Sequence, residues 1–216
     1  LQSGSIDINV PSCWEELEQD YEGVAWYSTQ VEIDADKAGQ ICRIVFQASN
    51  YRTEIWINGK AAGSHDGGYT PFDFEIQDFL NYDASNQITV RIVSPIITKD
   101  IRVDDLGPND MPHWRGGLTA GIWQSATLEF NQSAWIKHTF YKPKIKDSAF
   151  ELDLELRCNE ATSQAAILKI DVCDENGESI YQNEQSLQLQ AGDIQLEHTI
   201  ALSDAKLWSC ESPHLY

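Results

Sequence analysis

Asp110, His113, Trp114 and Arg115 lie close together in one stretch of the chain and combine four complementary kinds of side chain. A carboxylate accepts hydroxyl protons, an imidazole donates or accepts, a guanidinium presents a fork of donors, and an indole offers an apolar stacking face. That is the set a sugar site uses. The four belong to the segment 94–118, about 25 residues between strand-like runs, far longer than an ordinary connection, and long ordered loops tend to carry function. The same composition also describes a loop anchored by a packed Trp114 with its charges solvated, and residue types alone leave both readings open.

A second candidate is the string His65-Asp66-Gly67-Gly68-Tyr69-Thr70-Pro71-Phe72. Two glycines followed by an aromatic residue and a proline impose an irregular turn. Adjacent residues on a strand point to opposite faces, so a structural turn explains His65 and Asp66 better than a catalytic pair does. Asp104-Asp105 could offer oxygen to a hard cation, but the spacing matches no ligand loop. No Gly-x-Ser-x-Gly, phosphate-binding loop or His-Glu-x-x-His occurs, so no cofactor or metal is expected and nucleophilic catalysis has no visible home. Carboxylates are abundant, yet Glu151, Asp153 and Glu155 fall on the polar phase of an amphipathic strand, which makes them a solvated face rather than a catalytic pair.

The elements that must position these residues read as strand. Runs at 23–33, 41–48, 53–57, 72–76, 87–93 and 121–130 are rich in Val, Ile, Trp, Phe and Thr and are separated by Gly, Asn, Asp or Pro. Asn58-Gly59 between Ile57 and Lys60 predicts a tight type I′ hairpin. Residues 14–20 alone look helical, enough for Trp14 and Leu17 to plug the end of a sandwich. From Ala134 the character changes. Phe150 to Leu156 alternates strictly between apolar and acidic residues, Ile167 to Cys173 repeats the alternation, and runs at 186–190 and 195–202 come after it. No βαβ alternation appears. The fold class is therefore all-β: a jelly-roll β-sandwich over 1–133, then a smaller immunoglobulin-like β-sandwich over 134–216.

Composition bounds what such a molecule does. The chain has 216 residues, 42% of them hydrophobic, enough for a packed core. Its formal net charge of -19 repels phosphate backbones and anionic lipid, so neither nucleic acid nor a membrane is an expected partner. The only methionine is Met111 and the sequence opens Leu1-Gln2-Ser3-Gly4, so a removed leader or a piece of a longer protein is expected, and the compartment stays open, with export favoured over the cytoplasm. Five scattered cysteines argue against structural zinc; free thiols are expected, although Cys158 and Cys173 could join adjacent strands.

Several strings, in order, resemble glycoside hydrolase family 2. Val10-Pro11-Ser12-Cys13-Trp14, Tyr21-Glu22-Gly23-Val24-Ala25-Trp26-Tyr27, Asn50 to Gly59 and His65 to Phe72 are similar to the family's N-terminal sugar-binding jelly roll, a galactose-binding-like domain. Gly121 to Leu128 resembles the strand that closes it. Ile136 to Lys144 and Leu207 to Tyr216 resemble the entry to and exit from the immunoglobulin-like second domain. The family includes β-galactosidases, β-glucuronidases and β-mannosidases, retaining enzymes whose two catalytic glutamates lie on a (β/α)₈ barrel that these residues do not contain. By resemblance, residues 109–114 would occupy the loop that reaches the barrel mouth and touches substrate, although the Gly-Lys-Gln that often follows the histidine there is replaced. The resemblance implies substrate contacts from Asp110 and His113, to which the residue types of the loop add Trp114 and Arg115, and no catalytic residue in this chain.

Three functions remain open on the sequence. The first is the non-catalytic N-terminal portion of an exo-acting β-glycosidase, with a terminal β-glycoside and the barrel of the same chain as partners and a contribution to dimerisation. A free-standing carbohydrate-binding module is the second, and a structural pair of sandwiches the third.

Overall fold

The computed structural model describes residues 5–17, 21–97, 99–110, 120–159 and 164–216. The polypeptide divides into two compact units at Asn131 and Gln132.

Unit one opens with a single helical turn, α1 (Trp14–Leu17), and continues through seven strands: β1 (Gly23–Ile33), β2 (Ile41–Phe46), β3 (Arg52–Ile57), β4 (Lys60–Asp66), β5 (Phe72–Glu75), β6 (Ala84–Ser94) and β7 (Ala126–Asn131). They form two antiparallel sheets, β1-β6-β3-β4 and β5-β2-β7, with the facing side chains packed between them. Period-two patterning dictates this. In β3, Thr53, Ile55 and Ile57 are buried while Arg52, Glu54 and Trp56 alternate outward, and β6 buries Ile88, Val90 and Ile92 in the same phase. In the core, the buried Phe46 stacks on Phe72 with ring centroids 5.1 Å apart, and Phe74 meets both edge-on. Trp14 is buried and donates its indole N–H to the Tyr27 hydroxyl at 2.6 Å, so α1 closes one end of the sandwich as its sequence predicts for Trp14. Residues 18–20 of the expected helix lie outside the described residues.

The Asn58-Gly59 turn is made as expected, with φ of 52° and 78° at its two positions. Asn58 does more than turn the chain. Its side-chain amide donates to Phe79 O and Asn86 Oδ1, and its Oδ1 accepts from Gln87 N–H, tying the β3–β4 hairpin to β6. Asn86, fully buried, in turn donates to Asn81 O and Ala84 O, so its burial is compensated.

Unit two contains β8 (Ala134–Lys144), β9 (Ala149–Cys158), β10 (Gln164–Cys173), β11 (Ser179–Leu189) and β12 (Gly192–Ala201), arranged as the sheets β12-β9-β8 and β10-β11. Leu152, Leu154, Leu168 and Ile200 make its core. The acidic residues on the other phase of β9 pair with lysines of β8: Lys137 with Glu155, Lys142 with Asp153 and Lys144 with Glu151. None of the five cysteines is in a disulfide, so the alternative of a Cys158–Cys173 bridge is not realised. The architecture is all-β, a two-sheet jelly roll followed by a small immunoglobulin-like sandwich.

Two expected strands differ from the structure by more than three residues at one end. The run read from 121 pairs as a strand only from Ala126, because Gly121, at φ of 100°, forms an isolated bridge to Asn50 instead. Strand β11 begins at Ser179, well before the 186 expected, since its exposed residues carry no apolar alternation to announce it.

Candidate functional site

Strand β6 delivers the chain into the long segment at Ser94, and two short antiparallel bridges fold its first turns: Ile96 with Ile101, and Val103 with Leu106. Asp100, Asp104 and Asp105 take left-handed φ of 51°, 47° and 64°, conformations that Asp tolerates better than most residues. The segment therefore has defined turns at Asp100, Asp104 and Asp105.

Two arginines fasten it to the outward face of β1-β6-β3-β4. Arg52 makes a bidentate pair with Asp66, at 2.7 Å and 2.8 Å, and donates its remaining nitrogen to Asp104 O at 3.0 Å. Arg91 pairs with both the Glu54 and the Asp104 carboxylates. The loop is thus pinned at Asp104 by backbone and side chain together. The Arg52 hydrogen bonds hold the Asp66 carboxyl below its ordinary range, and the same contact raises the guanidinium. Because Asp104 is engaged by Arg91, it is not poised for a cation, and no group of three or more metal-ligating side chains exists among the described residues.

Asp110 sits one turn further on. Its Oδ2 accepts the Gly107 N–H at 2.7 Å and lies 3.0 Å from an Arg102 nitrogen, while its own N–H donates to Gly107 O. The carboxylate therefore braces the turn that carries it. Of the four residues singled out in the sequence, Asp110 is placed; His113, Trp114 and Arg115 lie outside the described residues.

The His65–Phe72 string does structural work. Asp66 turns outward to Arg52, whereas the His65 ring stacks on Phe72 at 3.9 Å. Gly68 O accepts the Trp123 indole N–H at 2.8 Å, and a Cβ at Gly68 would lie 2.5 Å from Asn50 Oδ1, so the turn needs glycine there for close approach. Burial depresses the His65 pKa below 6.5, with Asp66 opposing the shift. Between the lowered folded value and about 6.5 the unfolded chain binds more protons than the native state, so stability rises with pH there and falls as pH drops below about 6.5. His65→Gln is expected to flatten that slope. Melting temperatures of both proteins between pH 5 and 7.5 test it: parallel curves would show that His65 does not titrate in this window.

Spacing along the sequence misses Arg52 and Arg91 as organisers of this site. The available signal is their shared outward phase with Glu54, Trp26 and Trp56, legible once β3 and β6 are aligned.

A family profile described as "Glycosyl hydrolases family 2, sugar binding domain" matches residues 5–130, and a second, "Glycosyl hydrolases family 2", matches 134–216. The chain belongs to glycosyl hydrolases family 2. Similar family 2 proteins include the β-galactosidase BoGH2A of Bacteroides ovatus, 24% identical over 197 residues that span 90% of this chain and 22% of that protein. A β-galactosidase of Thermoanaerobacter pseudethanolicus is 25% identical over 92% of this chain and 26% of its own length. Among solved structures, a family 2 member from Bacteroides cellulosilyticus covers 99% of the chain with a TM-score of 0.78 at 21% identity, a likeness of fold. The chain spans about a quarter of the length of the curated family 2 relatives it matches.

Proposed function

We propose that these two domains are the non-catalytic N-terminal portion of a family 2 retaining exo-β-glycosidase of β-galactosidase or β-glucuronidase type. The observation that carries the reading is the uninterrupted succession of the two family domains, 5–130 and 134–216, in a chain whose relatives are β-galactosidases and β-glucuronidases several times longer. Hydrolysis belongs to a barrel of the parent, where one carboxylic acid protonates the leaving oxygen, a second carboxylate forms the glycosyl ester and water then releases the sugar. The two N-terminal domains shape the rim of that site and contribute domain contacts, including those of a dimer.

Within the rim, Asp110, His113, Trp114 and Arg115 are assigned to the substrate. The pinned loop supports this: Arg52 and Arg91 fix Asp104, and Arg102 with Gly107 N–H fix Asp110, the first of the four. A carboxylate already held at Asp110 lowers the ordering cost of its contact with substrate.

The test is to express the native gene through the codons beyond Tyr216 and to assay that product beside the 216-residue chain on nitrophenyl β-galactoside, β-glucuronide and β-mannoside. Activity in the longer product alone is expected. His113→Ala in that product is expected to lower kcat/KM at least about tenfold. A stop codon soon after Tyr216, with neither sample active and the 216-residue chain binding glycan, would replace this reading with a free-standing carbohydrate-binding module.

A further inference from the structure

We propose that the outward face of the sheet β1-β6-β3-β4 is a sugar-stacking platform, on which Trp26 and Trp56 take the C–H face of a neutral pyranoside. The proposal rests on the reading of the parent as a carbohydrate-active protein, but it assigns sugar contact to Trp26 and Trp56, which are not among the rim residues Asp110, His113, Trp114 and Arg115.

The register builds the platform. Trp26 of β1 stands opposite Arg91 of β6, and Trp56 of β3 stands opposite Thr89, so the two indoles reach toward each other across the strand between them. Their ring centroids are 5.2 Å apart with planes inclined by 35°. Trp26 is 61% exposed, whereas the alternate residues of β3 and β6 fill the core. The exposed Trp26 indole on the outward phase adds nothing to the core, and with the half-buried Trp56 against it offers an aromatic face to a ligand.

What surrounds the indoles selects the ligand. The Arg91 guanidinium lies 5.7 Å from the Trp26 ring centroid and is held by Glu54 and Asp104, so the ring is flanked by a fixed cation. Gln87 donates to Ser28 Oγ at 3.2 Å beside the pair, and Thr89 shares the face, giving amide and hydroxyl partners at the platform's edge. Arg52 and Arg91 are outnumbered by Glu54, Asp66 and Asp104, leaving these groups one negative charge in excess, with no unpaired cation for an anion, on a chain of net charge -19. An anionic ligand gains nothing there and is repelled by the whole protein. A neutral pyranoside fits both halves: its axial C–H bonds meet the negative face of an indole, and its hydroxyls reach the polar side chains around it. Rings already held by neighbours lose little freedom on binding.

The experiment titrates the 216-residue chain with lactose, cellotetraose and xylotetraose, and with tetragalacturonate as the anionic comparison, following tryptophan fluorescence and heat. Saturable millimolar binding of at least one neutral probe is expected, with tetragalacturonate weaker. Trp26→Ala and Trp56→Ala should each weaken it by about tenfold or more. Trp26→Phe, which keeps a ring, should retain part of the affinity, and Trp208→Ala, exposed in the second unit, should change nothing. Circular dichroism of each variant reports the fold separately. No saturable binding of any neutral probe, or undiminished binding by the Trp26→Ala, Trp56→Ala double variant, overturns the platform. Glycosidase activity of the longer gene product is read independently, so an inactive parent and a silent platform are distinguishable failures.

Discussion

Phe46→Ala should destabilise the first unit by about 4 kcal/mol, the range seen when a buried aromatic side chain is removed without collapse of its surroundings. Phe46 is 1% exposed on the central strand of its sheet, stacked on Phe72 and edge-on to Phe74. Its loss leaves Phe72 with a void on one side and the His65 ring on the other. A domain stability of about 5–15 kcal/mol makes such a loss large enough to populate the unfolded state near body temperature. Chemical denaturation with near-ultraviolet circular dichroism measures it. Phe46→Leu, which keeps most of the volume, should cost less than half as much, and equal losses for the two variants would show that the aromatic stack is not what matters.

Gly121→Ala should cost about 3 kcal/mol, for two independent reasons. The backbone there sits at φ of 100°, where a side chain is strained, and an added Cβ would lie 2.7 Å from the Trp14 indole nitrogen and 2.8 Å from the Tyr27 hydroxyl. The clash falls on the hydrogen bond that seats α1, so the loss should appear as a melting temperature lowered by about 10 °C together with a changed tryptophan emission. An unchanged melting temperature would mean that the sandwich end repacks freely around the methyl group.

The parts of the fold that could be read in advance are those in which one face of an element meets a core. Strands β3, β6 and β9 announce themselves because every second residue is apolar, and Asn58-Gly59 fixes its turn by local backbone preference. Strand β11 hides its first half, since it pairs only with β10 and Gln182, Asn183, Glu184 and Gln185 are all exposed, leaving no period to detect. The strand expected from 121 starts late because a single positive-φ glycine, invisible to hydrophobic patterning, diverts the backbone to Asn50. For the site, the length and composition of the loop were legible, and the ion pairs that hold it were not. Arg91 and Glu54 are 37 residues apart, and only sheet pairing places them side by side.

Hairpin geometry also governs how this molecule ages. An asparagine followed by glycine is the sequence most prone to cyclise through the next backbone nitrogen and emerge as aspartate or isoaspartate. At Asn58-Gly59 the side chain that would have to swing into that reaction is engaged by Phe79 O, Asn86 Oδ1 and Gln87 N–H. A carboxylate at 58 could accept from Gln87 but would face the oxygens of Phe79 and Asn86 with no proton to give. The folded hairpin thus shields from spontaneous deamidation the same amide whose two donated protons it requires, and storage damage at this position should track the time the chain spends unfolded.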